Sequence, residues 1–323
     1  GNHRTKMLGT KDISGKKPNR DFLTLMDYTK EEILYLLELA DYIKKQKQAG
    51  NVFQPLKGKT LGMIFEKAST RTRVSFEAGM YQLGGIAIFL NSKDIQIGRG
   101  ETIADTARVL SGYLDGIMIR TFSQETVEEL AQYATIPVIN GLTDMYHPCQ
   151  VLADLLTIRE VKGKLEGVKL AYIGDGNNMA HSLMIGASML GMEAVIASPI
   201  GYQPDKEVTE TALKLAEKHG ATITITDDPQ EAACQADIIY TDVWASMGQE
   251  EEQTKREKDF QGFQVNEKLL SLAKKDAHFM HCLPAHRGEE VTAEVIDGKQ
   301  SIVFLQAENR LHAQKALMTA LMG

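Results

Sequence analysis

Apolar positions in this chain follow two alternating patterns. Ile33, Leu34, Leu36, Leu37, Ala40 and Ile43 fall near helical spacing, so Thr29 to Gln48 reads as a helix. Thr29, ahead of Lys30-Glu31-Glu32, can cap it. Short apolar runs read as strands at Thr60 to Glu66, Ile86 to Leu90, Gly116 to Arg120 and Pro137 to Gly141. Helical spacing fills the intervals over 72–83, 102–111, 127–133 and 151–161. A second series then begins. Strands are expected at Lys169 to Ile173, Glu193 to Ala197, Thr222 to Thr226, Ile238 to Thr241 and His278 to His281. Helices are expected over 181–190 and 206–219, with a closing helix from about Ala307 to Leu321.

Two blocks of strand-helix alternation predict an α/β protein. Each block makes a doubly wound domain with a central parallel sheet flanked by helices. The boundary is expected near Gln150, giving one domain over 1–150 and a second over 151–306. The last helix, 307–323, is expected to pack back on the first domain, since termini often lie close together.

Composition narrows the classes. The chain has 323 residues, too many for one comfortable core and about right for two domains. Its net charge of -7 lacks the basic balance of a nucleic-acid binder. Three cysteines, Cys149, Cys234 and Cys282, do not describe a disulfide framework and suit a reducing compartment. No apolar run reaches the roughly 18 residues of a membrane span. The polar, basic stretch Gly1 to Lys17 lacks the apolar core of a secretory signal and is expected to be poorly ordered. A cytoplasmic location follows as an expectation.

Candidate chemistry sits where strands end. Phe65-Glu66-Lys67-Ala68-Ser69-Thr70-Arg71-Thr72-Arg73 joins a strand to a helix. Free N–H groups at such a start, with hydroxyls and guanidinium groups beside them, bind anions. A plain helix cap with surface arginines is the alternative. Arg120 ends an apolar strand and either reaches water or forms a second clamp. His147-Pro148-Cys149-Gln150 follows a strand-loop; His147 can hydrogen-bond a carbonyl oxygen. These histidines and cysteines show no zinc spacing. Gly174-Asp175-Gly176-Asn177-Asn178 follows a strand, but Met179 stands where a dinucleotide fingerprint needs glycine. The charged stretch Ala245 to Gln264 reads as a solvated loop and helix or as a lid. Trp244 is expected to pack behind that loop.

In order, Ser69-Thr70-Arg71-Thr72-Arg73, His147-Pro148-Cys149-Gln150 and His281-Cys282-Leu283-Pro284 resemble the signatures of the aspartate/ornithine carbamoyltransferase family. The resemblance covers roughly Asp21 to Met322. Asp242-Val243-Trp244-Ala245-Ser246-Met247-Gly248 resembles the Asp-x-x-x-Ser-Met-Gly loop of the ornithine branch. Membership implies transfer of a carbamoyl group from carbamoyl phosphate to the δ-amine of L-ornithine, giving L-citrulline and phosphate, within arginine metabolism and amino-acid biosynthesis. By the same resemblance, Ser69, Thr70, Arg71, Thr72, Arg120, His147, Gln150, Cys282, Leu283 and Arg310 bind carbamoyl phosphate. Gln96 matches a position that reaches a neighbouring subunit's phosphate. Asn178, Asp242, Ser246 and Met247 hold ornithine. Arg71, Arg120, His147, Asp242 and Cys282 carry the catalysis. The resemblance also implies a homotrimer or an assembly of trimers, with no cofactor, no metal, no nucleic acid and no membrane.

Overall fold

The computed structural model describes residues 20–95, 97, 100–246 and 249–323. The described chain forms two compact units, one from residue 20 to 156 together with 309–323 and one of 157–308. Both divisions fall inside helices, the first six residues beyond the expected boundary at Gln150.

Unit 1 begins with α1, Lys30–Gln48. Its first turn is closed by a reciprocal capping box: Thr29 Oγ1 accepts from Glu32 N, and Glu32 Oε1 accepts from Thr29 N. Ile33, Leu36, Leu37, Ala40 and Ile43 line one buried stripe, as the spacing requires. The sheet comprises β1 (Thr60–Phe65), β2 (Ile86–Asn91), β3 (Gly116–Arg120) and β4 (Val138–Leu142). Their order is β2-β1-β3-β4, all parallel. Three helices alternate with these strands: α2 (Thr70–Gln82), α3 (Ile103–Tyr113) and α4 (Gln124–Tyr133). Parallel strands need such crossovers, and the helices cover apolar sheet faces.

Helix α5, Pro148–Lys162, leads into unit 2. There, β5 (Lys169–Ile173), β6 (Glu193–Ala197), β7 (Thr222–Thr226), β8 (Ile238–Thr241) and β9 (His278–His281) form a parallel sheet. Its order is β7-β6-β5-β8-β9. The chain reverses its direction of travel across the sheet after β7, which is the doubly wound arrangement. Helices α6 (Asn178–Met189), α7 (Lys206–His219), α8 (Pro229–Ala233) and α9 (Gln253–Asp259) intervene. Every residue of α6 from Met179 to Met189 is buried, and its mean hydropathy is correspondingly apolar.

The last helix, α10, spans Val303–Met322 and begins four residues before the expected start. From Asn309 onward it belongs to unit 1. Lys44 Nζ donates to Asn309 Oδ1 at 2.9 Å, and Gln314 Nε2 donates to Ser75 Oγ at 2.8 Å. The chain's end therefore docks on α1 and α2.

Candidate active site

In parallel sheets, ligands sit beyond the carboxyl ends of the strands. In unit 1, Phe65 at the end of β1 lies in register with Arg120 at the end of β3. The chain leaving β1 turns through Glu66 to Ser69 and enters α2. Ser69 is the cap: its Oγ accepts from Thr72 N at 3.2 Å and donates to Thr72 Oγ1 at 3.1 Å. The first-turn N–H groups of α2 carry the positive end of the helix dipole.

Arg310 arrives from α10, its Nη2 donating to Thr72 Oγ1 at 3.3 Å and to Gln314 Oε1 at 3.0 Å. That contact ties the last helix to the first turn of α2. Arg120 is 9% exposed, so it does not reach out to water. Thr121 Oγ1 donates to Glu66 Oε1 at 2.8 Å, joining the loops after β3 and β1. His147 precedes α5 and is buried. Burial holds its imidazolium form well below the usual range, and Arg310, Arg120 and Lys67 push the same way. A neutral imidazole beside three cations can donate to a carbonyl oxygen without adding charge. Gln150 is fixed by its Nε2 donating to Asp154 Oδ1 at 3.0 Å.

The family signature divides by direction. Thr72 is fully buried, whereas Thr70 and Arg71 are exposed in the first turn. Arg73 belongs elsewhere: its guanidinium lies 3.9 Å from the Phe89 ring centroid, and Nε donates to Glu77 at 3.3 Å. Lys67 is a buried cation to which the sequence pattern assigns no role. Its place in the strand-to-helix turn was the available signal. Gln96 and Met247 lie outside the described residues.

Unit 2 builds its polar centre on Asp242, which follows β8 directly. Asp242 Oδ2 accepts from Asn177 Nδ2 at 3.0 Å. Its Oδ1 accepts from Val243 N at 2.8 Å and from the Cys282 thiol at 3.2 Å. Asn177, not Asn178, makes this link; its Oδ1 also caps α6 through Met179 N and Ala180 N. Asn178 is the first residue of α6. Ser246 N donates to Gln249 Oε1 at 3.0 Å.

Gly176 answers the dinucleotide question. A Cβ there would lie 2.3 Å from Pro204 N and 2.4 Å from Gln203 C. Its own N donates to Tyr202 O at 2.8 Å. The glycine is required because the chain at Tyr202 to Pro204 presses against it, which is where a pyrophosphate would need room.

The turn after β9 is held by a buried histidine. His281 Nδ1 accepts from Leu283 N at 2.8 Å, which leaves Nε2 to donate to Glu290 Oε2 at 2.8 Å. Glu290 is fully buried and also accepts from His286 N. Leu283 sits at φ 60°, a strained region for a leucine. Asp242, His281 and Cys282 place possible ligand atoms within 4.8 Å of one another. Both ring nitrogens of His281 are already engaged, so that cluster is a hydrogen-bonded support rather than an open metal site. The Cys282 thiol donates to the Asp242 carboxylate, and a neighbouring anion does not suit a nucleophilic thiol.

The charged stretch after Asp242 contains a buried anchor. Arg256, on α9, is 7% exposed. Its Nη1 donates to Trp244 O at 2.6 Å and pairs with Asp175 at 3.0 Å, while Nε donates to Glu252 at 3.0 Å. Burial raises the Asp175 carboxyl to about 6 despite Arg256 beside it. Trp244 stacks on Phe260, centroids 5.5 Å apart and planes 24° from parallel. It packs behind the loop, as expected.

Comparison with known proteins agrees with this geometry. The domain described as "Aspartate/ornithine carbamoyltransferase, carbamoyl-P binding domain" matches residues 20–160, and the "Asp/Orn binding domain" of the same description matches 166–321. The chain belongs to the aspartate/ornithine carbamoyltransferase family. The second match includes most of α10, although that helix packs from Asn309 onward in unit 1. An ornithine carbamoyltransferase of Oceanobacillus iheyensis is 75% identical over 94% of this chain and 94% of its own length. One from Anoxybacillus flavithermus is 65% identical over 98% of this chain and 99% of its own. Among solved structures, the ornithine carbamoyltransferase from Pyrococcus furiosus superposes with a TM-score of 0.93 at 57% identity, covering 94% of this chain and 97% of that one.

Proposed function

We propose that this carbamoyltransferase moves the carbamoyl group of carbamoyl phosphate to the δ-amino group of L-ornithine, giving L-citrulline and phosphate. The observation that carries the donor is the convergence of the Ser69-capped α2 start with Arg120, His147 and Arg310. The acceptor rests on Asp242 and the Ser246-Met247-Gly248 sequence, together with near-full-length relatives named ornithine carbamoyltransferase.

The δ-nitrogen attacks the carbamoyl carbon, the bond to the phosphate oxygen breaks, and the nitrogen gives up a proton. Ser69, Thr70, Arg71, Thr72 and Arg120 take the phosphate through aimed N–H, hydroxyl and guanidinium donors. His147, Gln150 and Arg310 hold the carbamoyl group. Neutral His147 and cationic Arg310 stabilise charge developing on the carbonyl oxygen. Asp242 accepts from the α-ammonium of ornithine, and Asn178 donates to its carboxylate. Cys282 and the Leu283 carbonyl contact the carbamoyl group and the attacking amine. Ser246 and Met247 close on ornithine, and Gln96 serves a neighbouring subunit of a homotrimer. Most of the rate then comes from positioning and fixed electrostatics. Among the described residues no helix is long and apolar enough to cross a membrane. A cytoplasmic role in arginine metabolism completes the reading.

The experiment offers carbamoyl phosphate with ornithine, putrescine, N-acetylornithine and aspartate in parallel. Citrulline and phosphate should form in equal amounts, with kcat/KM for ornithine highest by at least a hundredfold. Preference for another amine would overturn the acceptor while leaving the donor standing.

A further inference from the structure

A second polar cavity lies at the other end of the unit 1 sheet, where α1 and α2 finish and β2 begins. Its volume is about 550 Å³. Gln46, Lys47, Asn51, Gln54, Gln82 and Lys315 give its polar wall, and no carboxylate lines it. Lys315 comes from α10 and is only 4% exposed. Its Nζ donates to Gln82 Oε1 at 2.9 Å. Among the described residues, neither Lys47 nor Lys315 has an ion pair. A buried lysine is normally matched by an acid. Here its neighbours are an amide from α2 and a second ammonium from α1.

We propose that Lys315 is a carbamoylation site, an amine that adds isocyanic acid to become a urea side chain. Isocyanic acid is the electrophile released when carbamoyl phosphate decomposes, so its source in the cell rests on the donor proposed above; the reactivity does not. In the step, the lone pair of neutral Nζ attacks the isocyanic carbon and a new N–C bond forms. The electron pair of the C=N bond moves to nitrogen, which takes a proton from Nζ. Nothing leaves, and no oxidant or reductant is needed.

The cavity makes the reaction selective in two ways. It admits small reagents to a side chain that is otherwise covered. It also favours the neutral amine. Burial pushes Lys315 down to about 8, and the Lys47 ammonium adds to the shift. Ordinary lysines titrate near 10.4, so at pH 7.5 the neutral fraction at Lys315 is larger by roughly a hundredfold. Lys47 from α1 is the other charged group on the wall, and Gln82 from α2 is uncharged.

The test treats the folded full-length protein briefly with limiting potassium cyanate at pH 7.5. Peptide mass spectrometry then follows each lysine. Lys315 should be labelled at least tenfold faster than exposed Lys57, Lys214 and Lys258. In denaturant that preference should vanish, and Lys47→Glu should slow labelling severalfold by returning a negative charge to the wall. Labelling of Lys315 no faster than the exposed lysines, a preference that survives denaturation, or indifference to Lys47→Glu would each overturn the site. Replacing cyanate with aged carbamoyl phosphate tests the source separately. Labelling by cyanate alone would keep the site and remove its link to the substrate.

Discussion

The two polar centres are built by different means. In unit 1, charge is supplied by the fold itself: a helix start, two strand ends and the final helix bring Ser69, Arg120, His147 and Arg310 together. In unit 2, one carboxylate, Asp242, is oriented by three donors: a cap asparagine, a backbone N–H and a thiol. A phosphate dianion is recognised by any dense set of donors. An amino acid needs an acceptor at one angle. On the proposed assignment, the first centre should be most sensitive to loss of cationic charge, and the second to loss of the Asp242 charge or of its orientation.

That contrast can be broken at several points. The largest effect is expected from Arg71→Ala or Arg120→Ala, with kcat/KM falling by about a thousandfold or more, as for removal of other charge-stabilising groups. The thermal midpoint of Arg71→Ala should stay near wild type, because Arg71 is exposed. Asp242→Asn should come next. Its ornithine KM should rise by about a hundredfold, a charge-assisted bond being worth roughly 1.5–3 kcal/mol. Asn177→Ala removes both the α6 cap and a donor to Asp242. Chemical denaturation should show a loss of about 1 kcal/mol, and ornithine KM should rise about tenfold.

Arg256→Gln sharpens the comparison further. It should raise ornithine KM severalfold through Trp244 and the loop while leaving carbamoyl phosphate binding unchanged. The pH profile carries a matching signature. With Asp175 raised to about 6, the Asp175–Arg256 ion pair is present above that pH and weakens below it. Ornithine KM should therefore climb as pH falls through about 6, and Asp175→Asn should flatten that limb. The sign for stability is opposite. Because the fold raises this carboxyl, the folded state binds its proton more tightly than the unfolded chain, and this contribution declines as pH rises from about 4 to 6. Burial is the main cause of the raised value, Arg256 opposes it, and Asp242 and Glu252 add to it. The smallest effect belongs to Arg73→Ala, which should change kcat/KM less than threefold because Arg73 is spent on Phe89 and Glu77.

Alternation of apolar runs is enough to read both parallel sheets, because β1, β3, β4, β5, β6, β8 and β9 are buried along nearly their whole length. Five helix starts lie earlier than the periodicity predicts, whereas α1 and α3 begin one residue later than predicted and α7 begins on its predicted residue. Residues 72, 127, 151, 181 and 307 were expected to begin helices that begin at Thr70, Gln124, Pro148, Asn178 and Val303. A first turn makes few apolar contacts, so periodicity is silent there. In α2, α5 and α6 those turns hold Thr70 and Arg71, Cys149 and Gln150, and Asn178. Proline at the first position of α5 was a legible signal for the earlier start.

Residues that act through others were harder to see. Asn177 and Asn178 are adjacent, and the sequence does not show that Asn177 is the one that both caps α6 and donates to Asp242. Arg256 lies within a run of charges that reads as solvated, yet it is among the least exposed arginines. The pairing of His281 with Glu290 depends on a turn that sequence spacing does not define. For Asn177 and Arg256 the decisive fact is a contact between segments far apart in the chain, and for His281 it is a contact nine residues away across the turn.

Calorimetric titration of carbamoyl phosphate, without ornithine, tests the division of labour most directly. The Asp242→Asn protein should bind carbamoyl phosphate within about threefold of wild type, and the Arg71→Ala protein should show no measurable binding. Loss of carbamoyl phosphate binding in Asp242→Asn, or its retention in Arg71→Ala, would contradict the assignment of donor and acceptor to separate units.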